Sequence, residues 1–286
     1  MSILIWALPV FAVTIGVEWA LSLKRPVKGY WIQDWAVNIT MGLGNLGLLF
    51  ATKTVTLTIF FALYQYRFFD LPSDAWWVWL LLIPAEDLCF YWFHRASHEI
   101  RLLWAAHVNH HSATSYNLST ALRQSWTSPF MSWVFWLPLV LLGFHPLMIV
   151  LAQTFSLLYQ YWIHTELIER MGAFGWVFNT PSHHRVHHAA NPQYLDRNYG
   201  GILIVWDRLF GTFETEQEPV QYGLTTNIGT YNIFVVAFHE WHAMLKDIIE
   251  AKSWMGRLWY LIALPGWRED GSGQTSKSIR ANALKG

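Results

Sequence analysis

The chain has 286 residues, of which 53% are hydrophobic and only 13% are charged. Soluble domains carry about 25% charged residues, so this composition favours a membrane protein. Equal numbers of basic and acidic residues, 19 each, give a net charge of zero and argue against a nucleic-acid partner. The single cysteine excludes an intrachain disulfide, and the 19 tryptophans favour a membrane–water interface.

The first apolar segment covers residues 3–23 and contains only three polar residues. Its length suffices for a bilayer, which a helix of about 20 residues can cross. No basic region precedes it and no small-residue cleavage site follows it, so we predict a membrane span and not a signal peptide. Lys24, Arg25 and Lys28 follow directly, and the positive-inside rule places that end in the cytoplasm and the N-terminus outside.

Three further apolar regions predict the rest of the membrane part. Residues 35–63 predict a second span, residues 64–74 an external loop, and residues 75–93 a third span that ends at His94. Residues 128–163 predict an apolar hairpin with its turn at Gly143–Pro146. Its limbs are short for full spans, which favours a re-entrant pair.

After this hairpin the chain has a mixed polar and apolar composition, and further on it becomes amphipathic. Residues 231–267 are aromatic and amphipathic, which favours a position along the membrane interface. Residues 271–286 are small and polar, which predicts disorder. The predicted regions are the N-terminal spans over 1–74, a histidine-rich region over 75–214, an interfacial segment over 215–270 and a disordered tail over 271–286.

Ten of the thirteen histidines fall into four clusters along the chain, three of which have helical spacing. His94 and His98 are four residues apart, which puts both rings on one helix face, roughly 40° apart around the axis. The other clusters are His107, His110 and His111; His164 alone; and His183, His184, His187 and His188. In the predicted topology all four clusters lie on the cytoplasmic side.

The clustering predicts a site for two metal ions. Neutral imidazole is a good ligand for iron, copper and zinc, and ten imidazoles are too many for one ion. Two adjacent ferrous ions can supply the electrons that cleave dioxygen and oxidise an unactivated C–H bond. Carboxylate di-iron sites in helical bundles use Glu and Glu-x-x-His, and here imidazole replaces most of those carboxylates.

Other interpretations apply to some of these histidines. A single histidine on an apolar element is more often a packed core residue, and we interpret His145, His239 and His242 in this way. A metal-storage tract would be contiguous, whereas these clusters are divided among apolar helices. A membrane metal transporter or a haem carrier stays open as a non-enzyme alternative; transport predicts ligands near the middle of the membrane.

Polar residues near the clusters are candidates for orienting the imidazoles. Glu99 directly follows His98, and we predict it as the catalytic carboxylate for that reason. The remaining candidates for hydrogen bonds to a ring nitrogen are Glu86, Asp87, Asp196, Asn198 and Asp207. Each of these is equally consistent with a solvated or helix-capping group. Tyr116, Asn117 and Arg123 are predicted to shape a head-group or reductant pocket.

One further pattern, Gly42-Leu-Gly-Asn-Leu-Gly47, matches the G-x-G-x-x-G fingerprint of dinucleotide sites. That fingerprint requires a strand before it and a helix after it. Here it lies inside an apolar span, so we interpret the glycines as positions of close helix packing. Electrons are therefore expected from a separate reductant.

The histidine motifs resemble the eight-histidine signature of the fatty acid hydroxylase/sterol desaturase superfamily. They read His94-Arg-Ala-Ser-His98, His107-Val-Asn-His-His111 and His184-Arg-Val-His-His188. Two longer stretches, Trp162-Ile-His-Thr-Glu166 and Asn198 to Phe213, are similar to the alkylglycerol monooxygenase branch of that superfamily. The resemblance is strong from about Glu86 to Glu214. Because this stretch makes up most of the histidine-rich region 75–214, that region is identified as the catalytic one.

The resemblance implies an all-α integral membrane protein with four to five transmembrane or re-entrant helices. A cytosolic helical cap would carry the dimetal site. It implies a di-iron monooxygenase that hydroxylates an alkyl carbon of a lipid with dioxygen. For the branch it implies cleavage of glyceryl ether lipids with tetrahydrobiopterin as reductant. Hydroxylation or desaturation of sterols, fatty acyl chains or aminolipids, with a cytochrome or ferredoxin as donor, stays open as the alternative.

Overall fold

The computed structural model describes residues 2–23 and 32–283. These residues are helices and loops; within these two ranges no β-strand is present, and only two isolated bridges occur, Phe178 with Leu203 and Ala189 with Tyr222. The predicted all-α class is confirmed. The basic residues that oriented the predicted topology, Lys24, Arg25 and Lys28, lie outside the described residues.

Three long helices come first in the chain. They are α1 (Ser2–Ser22), α2 (Ile32–Tyr64) and α3 (Trp76–Glu99). The first two are long and apolar enough to cross a membrane, through Ile5–Ser22 and Ile32–Tyr64. They correspond to the first two predicted spans. Most of their apolar side chains face outward, as a helix surrounded by lipid requires.

Shorter helices follow these three. They are α4 (Arg101–Ala105), α5 (Val108–His111), α6 (Leu137–Leu142), α7 (Pro146–Trp162), α8 (Pro181–His187) and α9 (Val205–Phe210). Single 3-10 turns lie between them at Leu118–Leu122, Ser128–Phe130, Ser132–Trp136, Gly172–Trp176 and Pro192–Tyr194. The predicted turn of the apolar hairpin is present, because Gly143 ends α6 in the left-handed conformation at φ 107°.

The main apolar core joins four of these helices. Phe60 of α2 and Leu82 of α3 pack against Val140 of α6 and Ile149 of α7, and none of the four is exposed. The first limb of the hairpin is broken into two 3-10 turns and α6, whereas the second limb is the continuous 17-residue α7. This core fixes α3, whose last turns carry the first two clustered histidines.

Three helices complete the chain: α10 (Ile233–Glu250), α11 (Trp254–Ile262) and α12 (Ser276–Ala283). The Asn232 side chain caps α10 by accepting hydrogen bonds from the Phe234 and Val235 amides. α10 packs on the start of α2, where Val37 and Met41 meet Val236 and Ala237.

The helix α12 lies in the segment for which the sequence predicts disorder. The Ser276 hydroxyl donates a hydrogen bond to Asp196, and the Arg280 guanidinium donates one to the Leu195 carbonyl at 2.7 Å. These contacts with residues 195–196 hold a helix whose own composition is too polar to pack. The boundaries 1–74, 75–214, 215–270 and 271–286 otherwise stay predictions.

The G-x-G-x-x-G pattern lies inside α2, as expected for a packing motif. A Cβ added at Gly42 would lie 2.7 Å from the Leu122 carbonyl oxygen, whereas a Cβ at Gly47 would meet nothing within 4 Å. The Trp126 indole also lies against Gly44 and donates a hydrogen bond to the Met41 carbonyl at 3.0 Å. The glycines let the segment around residues 122–126 approach the helix backbone closely.

We expect Gly42→Ala to lower the free energy of unfolding by roughly 1–3 kcal/mol, because the methyl group collides with a backbone oxygen that cannot move independently. Gly47→Ala is the matched control, and the alanine there is expected to be neutral or stabilising by about 0.5–1 kcal/mol. Thermal unfolding of both variants in detergent measures the difference. Equal midpoints for the two would contradict this packing.

Candidate metal centre

Four separate elements deliver the clustered histidines. His94 and His98 lie on the last turns of α3, and His164 follows the end of α7. His107 caps the N-terminus of α5, which carries His110 and His111. The helix α8 carries His184 and His187, with His188 as its C-cap. Each of these nine side chains is buried or half-buried.

The nine histidines form two groups, in each of which one ring nitrogen per residue lies within 4.8 Å of all the others. We call them the five-histidine group and the four-histidine group. The first is His94, His98, His107, His111 and His187; the second is His110, His164, His184 and His188. The two groups touch, since the rings of His111 and His188 stack with centroids 4.4 Å apart.

The nitrogens inside each group approach one another very closely. In the five-histidine group, His107 Nε2 lies 3.1 Å from His94 Nε2 and 3.2 Å from His111 Nε2. In the four-histidine group, His164 Nε2 lies 2.9 Å from His184 Nε2 and 3.4 Å from His110 Nε2. Two nitrogens bound to one ion at about 2.1 Å would be about 3.0–3.4 Å apart, so these spacings fit shared coordination.

Backbone carbonyls fix which nitrogen carries the hydrogen. His94 Nδ1 donates to the Tyr199 carbonyl at 2.8 Å and His187 Nδ1 to the Arg197 carbonyl at 3.0 Å. His164 Nδ1 donates to the Gln160 carbonyl at 2.7 Å, and His110 Nδ1 to the Arg123 carbonyl at 3.3 Å. Because a carbonyl can only accept, each Nε2 of a neutral ring carries a lone pair.

Those lone pairs meet without a proton between them. His110 Nε2 and His164 Nε2 face each other across 3.4 Å, and neither can donate while its Nδ1 holds the hydrogen. The Nε2 atoms of His98 and His187 are buried without any hydrogen-bond partner among the described residues. A cation is the group that satisfies facing lone pairs, so the residues fit a metal at each group.

Burial keeps the imidazoles neutral. It lowers the pKa of His164 to about 4. Burial and then the neighbouring imidazoles hold the pKa of His107 and His184 well below the usual value of 6.5. Neutral imidazoles bind a metal without first releasing a proton, which makes the site ready for metal at neutral pH.

His183, the tenth predicted ligand, points away from both groups. Its Nδ1 lies 3.1 Å from the Thr180 hydroxyl, and its ring packs edge-on against Phe213. The reason is helical geometry, since the residue before His184 lies about 100° around the axis from it.

The three histidines that we interpreted as packed core residues also lie outside the two groups. His145 accepts a hydrogen bond from the Leu147 amide at the start of α7, and its ring contacts Phe61 and Tyr64. His239 and His242 lie on α10, outside both groups as these are formed by the described residues.

The structure brings Asp196, and not Glu99, to a histidine of the groups. Asp196 Oδ1 lies 3.6 Å from His98 Nδ1, whereas Glu99 pairs with Arg95 at 3.3 Å. Burial alone would raise the pKa of Asp196, yet its contacts with His98 and Ser276 hold that pKa below the usual value. Asp196 therefore remains a carboxylate that can orient the His98 ring.

Other predicted polar residues support the backbone behind the site. Asp87 accepts hydrogen bonds from the Ile202 and Leu203 amides at 2.7 and 2.9 Å. Asp207 accepts from the Tyr199 amide at 2.8 Å, so it positions the carbonyl segment that holds His94. Asp87 and Asp207 therefore support the site through the backbone and not through the predicted direct contacts with ring nitrogens. Glu86 instead accepts from the Trp136 indole at 3.1 Å, and Asn198 donates to the His183 carbonyl at 3.0 Å.

Arg123 is buried behind the four-histidine group and does not line the cavity that reaches the five-histidine group. Its guanidinium pairs with Asp34 of α2 at 3.2 Å and donates to the Asn109 carbonyl at 2.9 Å, while its own carbonyl holds His110. Asn117 accepts from the Ser119 amide at 3.0 Å and caps a 3-10 turn. Tyr116 lies beside the site, with its ring 5.2 Å from that of His188.

Two acidic residues of the apolar helices are part of this support and were missed by the sequence interpretation. Asp34 Oδ2 accepts hydrogen bonds from the Thr114 and Ser115 amides at 3.1 and 3.0 Å. Glu18 of α1 accepts from the Leu118 amide at 2.7 Å and from the Thr165 hydroxyl, next to His164. An ionisable residue inside an apolar span is itself a signal of function, and it would have identified Glu18. Asp34 directly precedes the predicted second span, so the same signal does not reach it.

A cavity of about 580 Å³ opens onto the site from one side. It reaches His98, His111 and His187, all of the five-histidine group, and no member of the four-histidine group lines it. Its volume is in the usual range for small-molecule sites.

Comparison with known proteins agrees with this geometry. Residues 79–212 match the family model for fatty acid hydroxylase, and this segment contains all nine histidines of the two groups. Residues 79–212 are therefore similar to fatty acid hydroxylase domains, in agreement with the resemblance seen in the sequence.

The chain is also similar to alkylglycerol monooxygenases. It is 42% identical to the Danio rerio protein over 263 residues, which are 91% of this chain and 59% of that protein. It is 41% identical to the Homo sapiens protein, over 88% of this chain and 56% of that protein. An ornithine lipid hydroxylase of Rhizobium tropici is 33% identical over 51% of this chain and 44% of its own length.

The chain thus spans 59% or less of the length of these curated relatives. No solved structure shows a significant match to it.

We expect His184→Ala to reduce the metal bound by the purified protein, whereas His183→Ala should retain it. The two residues are neighbours on α8, but only the His184 ring reaches a histidine group. Metal analysis by inductively coupled plasma mass spectrometry after iron loading measures the difference. Equal metal loss in both variants would show that His183 is a ligand after all.

Asp196→Asn should weaken metal binding roughly 10–100-fold, the usual effect of removing a carboxylate behind a histidine ligand. Glu99→Gln is the matched control, because Glu99 contacts Arg95 and lies in the same region. Competition with a chelator of known affinity measures both constants. A larger effect at Glu99 than at Asp196 would restore Glu99 as the predicted catalytic carboxylate.

Proposed function

We propose that this protein is a dioxygen-dependent di-iron monooxygenase of the membrane that hydroxylates an alkyl carbon of a lipid and cleaves glyceryl ether lipids. One observation carries the proposal most directly. Two groups of buried imidazoles are adjacent, and within the four-histidine group the lone pairs of His110 and His164 face each other. Two neighbouring all-imidazole sites suit two redox-active ions of intermediate softness, such as iron.

The relatives support the choice of substrate class. The proteins with the highest identities quoted above are named alkylglycerol monooxygenases, and the more distant ones include an ornithine lipid hydroxylase and a cholesterol 25-hydroxylase. All of these names describe oxygen insertion into lipids. Sterol, fatty acyl or aminolipid hydroxylation by the same site is the alternative, and the ornithine lipid hydroxylase match favours the aminolipid among these.

The proposed ligands are the nine histidines of the two groups. Bound there, two iron ions would supply the electrons that activate dioxygen. The protein contributes fixed geometry, because the carbonyls of Tyr199, Gln160 and Arg197 hold three of the rings with their lone pairs turned inward. Bis-histidine haem ligation would instead require facing pairs, which groups of five and four do not provide.

The ether substrate explains how hydroxylation becomes cleavage. Hydroxylation at the alkyl carbon next to the ether oxygen gives a hemiacetal and, from the second oxygen atom, water. The hemiacetal collapses when its hydroxyl proton moves to the ether oxygen, which releases a fatty aldehyde and glycerol. The two electrons that dioxygen requires would come from an external reductant such as tetrahydrobiopterin, or from a cytochrome or ferredoxin.

The membrane would hold α1, α2 and α3 as spans and the α6–α7 hairpin as a re-entrant pair. The histidine groups would then lie at the cytoplasmic ends of these elements, under a helical cap made by α4, α5 and α8. The aromatic side chains of α10 and α11, such as Phe234, Trp254 and Trp259, are exposed and suit the membrane interface.

The proposal predicts iron-dependent oxygen consumption by the full chain in lipid nanodiscs when a 1-O-alkylglycerol and tetrahydrobiopterin are supplied. Fatty aldehyde and glycerol should appear in equal amounts, measured by mass spectrometry. His110→Ala and His187→Ala, one from each group, should both abolish turnover, whereas His145→Ala should retain it. Consumption only with a sterol, acyl or aminolipid substrate would select the alternative, and none with any lipid would refute the proposal.

A further inference from the structure

Three aromatic side chains lead from the five-histidine group to the protein surface, and we call them the aromatic row. The Tyr199 ring lies with its centroid 5.3 Å from that of His98 and 6.1 Å from that of Tyr91. Tyr91 in turn contacts Trp92, with ring centroids 5.5 Å apart. Neither tyrosine is exposed, whereas Trp92 is 43% exposed. The aromatic row therefore connects the buried site with the surface through side chains that can each lose an electron.

The first member of the aromatic row carries a hydroxyl group that packing does not require. Tyr199 Oη is buried and has no hydrogen-bond partner among the described residues. A phenylalanine would fill almost the same space without an unpaired buried hydroxyl, which costs about 1–3 kcal/mol. Tyrosine differs from phenylalanine also in being far easier to oxidise. The unpaired hydroxyl, beside the proposed metal ligands, therefore indicates a redox role for Tyr199.

The second member of the aromatic row has a route for its phenolic proton. Tyr91 Oη accepts a hydrogen bond from Arg95 at 3.3 Å and lies 2.9 Å from the Thr212 hydroxyl. Thr212 itself donates to the Asp207 carboxylate at 2.6 Å, so the hydrogen between Tyr91 and Thr212 belongs to Tyr91. A tyrosine that loses an electron also releases its proton. Burial raises the pKa of Asp207 to about 6, so shifts along these two hydrogen bonds would bring that proton to a carboxylate that accepts it readily.

Another aromatic pair lies beside the four-histidine group but lacks such a route. The Tyr116 ring is 5.2 Å from that of His188 and stacks on Tyr222 with centroids 4.8 Å apart. Tyr116 Oη donates to the Ile163 carbonyl at 3.2 Å, and a backbone carbonyl is too weak a base to take up a proton. The hydrogen bonds therefore favour Tyr91 over Tyr116 as the residue at which an oxidised state is stabilised.

The electron balance of a monooxygenase explains why such a row is useful. Dioxygen takes up four electrons when both of its atoms are fully reduced. In lipid hydroxylation the external reductant supplies two of them and the C–H bond supplies the other two. If dioxygen is activated while no lipid is bound, the last two electrons must come from the protein. Oxidation of the metal-binding imidazoles would then destroy the site, unless another group is oxidised first.

We propose that the aromatic row carries oxidising equivalents away from the histidine groups when lipid is absent, and that Tyr91 is the residue that holds the radical. The inference rests on the proposed monooxygenase function and adds how the protein survives dioxygen activation without substrate. Trp92 lies at the end of the predicted third span, where tryptophans commonly meet the membrane–water interface, and a water-soluble reductant reaches it there.

The electrons and protons of this protection balance. One electron passes from Tyr91 through Tyr199 to the oxidant formed at the histidine groups, which also takes one proton from water. The Tyr91 proton moves through Thr212 to Asp207. A soluble thiol then returns one electron by way of Trp92 and releases its proton to water, and Asp207 gives the phenolic proton back. Two such steps complete the reduction of dioxygen to water and convert two thiols to a disulfide.

Electron paramagnetic resonance tests the aromatic row without lipid turnover. The iron-loaded full chain is mixed with hydrogen peroxide, with neither lipid nor reductant present, and is frozen. A tyrosyl radical is expected, identified by the change in its spectrum when the protein contains deuterated tyrosine. Tyr91→Phe should abolish this signal, whereas Tyr116→Phe, the matched control beside the other histidine group, should leave it unchanged. Iron content and elution volume establish that both variants are folded.

Two further measurements do not depend on the Tyr91 variant being folded. Added thiol should quench the radical, and Trp92→Phe should slow the quenching without changing the amount of radical first formed. Thr212→Val, which removes the proton acceptor, should shorten the lifetime of the radical and increase histidine oxidation, measured by peptide mass spectrometry after dioxygen activation without lipid.

The outcomes separate this inference from the proposed function. A radical that persists in Tyr91→Phe, a radical that is lost in Tyr116→Phe instead, or the absence of any protein radical would overturn the aromatic row as a protective path. Thiol quenching at an unchanged rate in Trp92→Phe would remove Trp92 from it. If no lipid is oxidised but peroxide still gives a radical that depends on Tyr91, the proposed function fails while the aromatic row stands.

Discussion

Nine imidazoles that face one another in a buried volume impose the main physical constraint on this protein. A nitrogen lone pair directed at another lone pair, without water or a proton between them, is an unsatisfied buried polar group and costs free energy. The His110–His164 pair shows the conflict, since both Nδ1 atoms donate to carbonyls and both Nε2 atoms are left facing each other. A pair of metal ions would remove the conflict, and the rest of the fold holds the rings in place for them.

The long apolar helices α1 and α2 contact residues that position the histidine rings. Asp34 of α2 binds Arg123, whose carbonyl accepts from His110, and Glu18 of α1 binds Thr165, the neighbour of His164. A buried ion pair such as Asp34–Arg123 adds little net stability compared with apolar packing, but breaking one partner is strongly destabilising, by about 3–5 kcal/mol. The geometry of the histidine groups therefore depends on the positions of α1 and α2.

Sequence periodicity indicated which histidines share a helix face, and His94 and His98 do lie in one group. It did not predict how the clusters divide, because His187 belongs to the five-histidine group whereas His184 and His188 belong to the four-histidine group. The sequence could not exclude His183 or select the right carboxylate, because side chains of adjacent residues on a helix point in different directions. Glu99 follows His98 but lies about 100° around the helix from it, whereas Asp196, far away in the chain, reaches the same ring.

The contacts between distant parts of the chain that support the site could not be predicted from periodicity, for a different reason. Asp34 meets Arg123 only once residues 114–123 fold back on α2, and α12 is ordered by Asp196 and Leu195 despite its polar composition. Such contacts depend on the tertiary arrangement. The first two apolar helices were predictable because the length and composition of a helix decide whether it can cross a bilayer.

The hydrogen bond between Ser276 and Asp196 has a consequence for how the protein is made. The ribosome adds Ser276 80 residues after Asp196, and the nine histidines have all been synthesised before then. The carboxylate beside His98 is thus secured only when the chain around α12 has emerged and folded back. A metal is accordingly expected to be held in its final geometry only after α12 has been synthesised, and not during synthesis of the histidine segments.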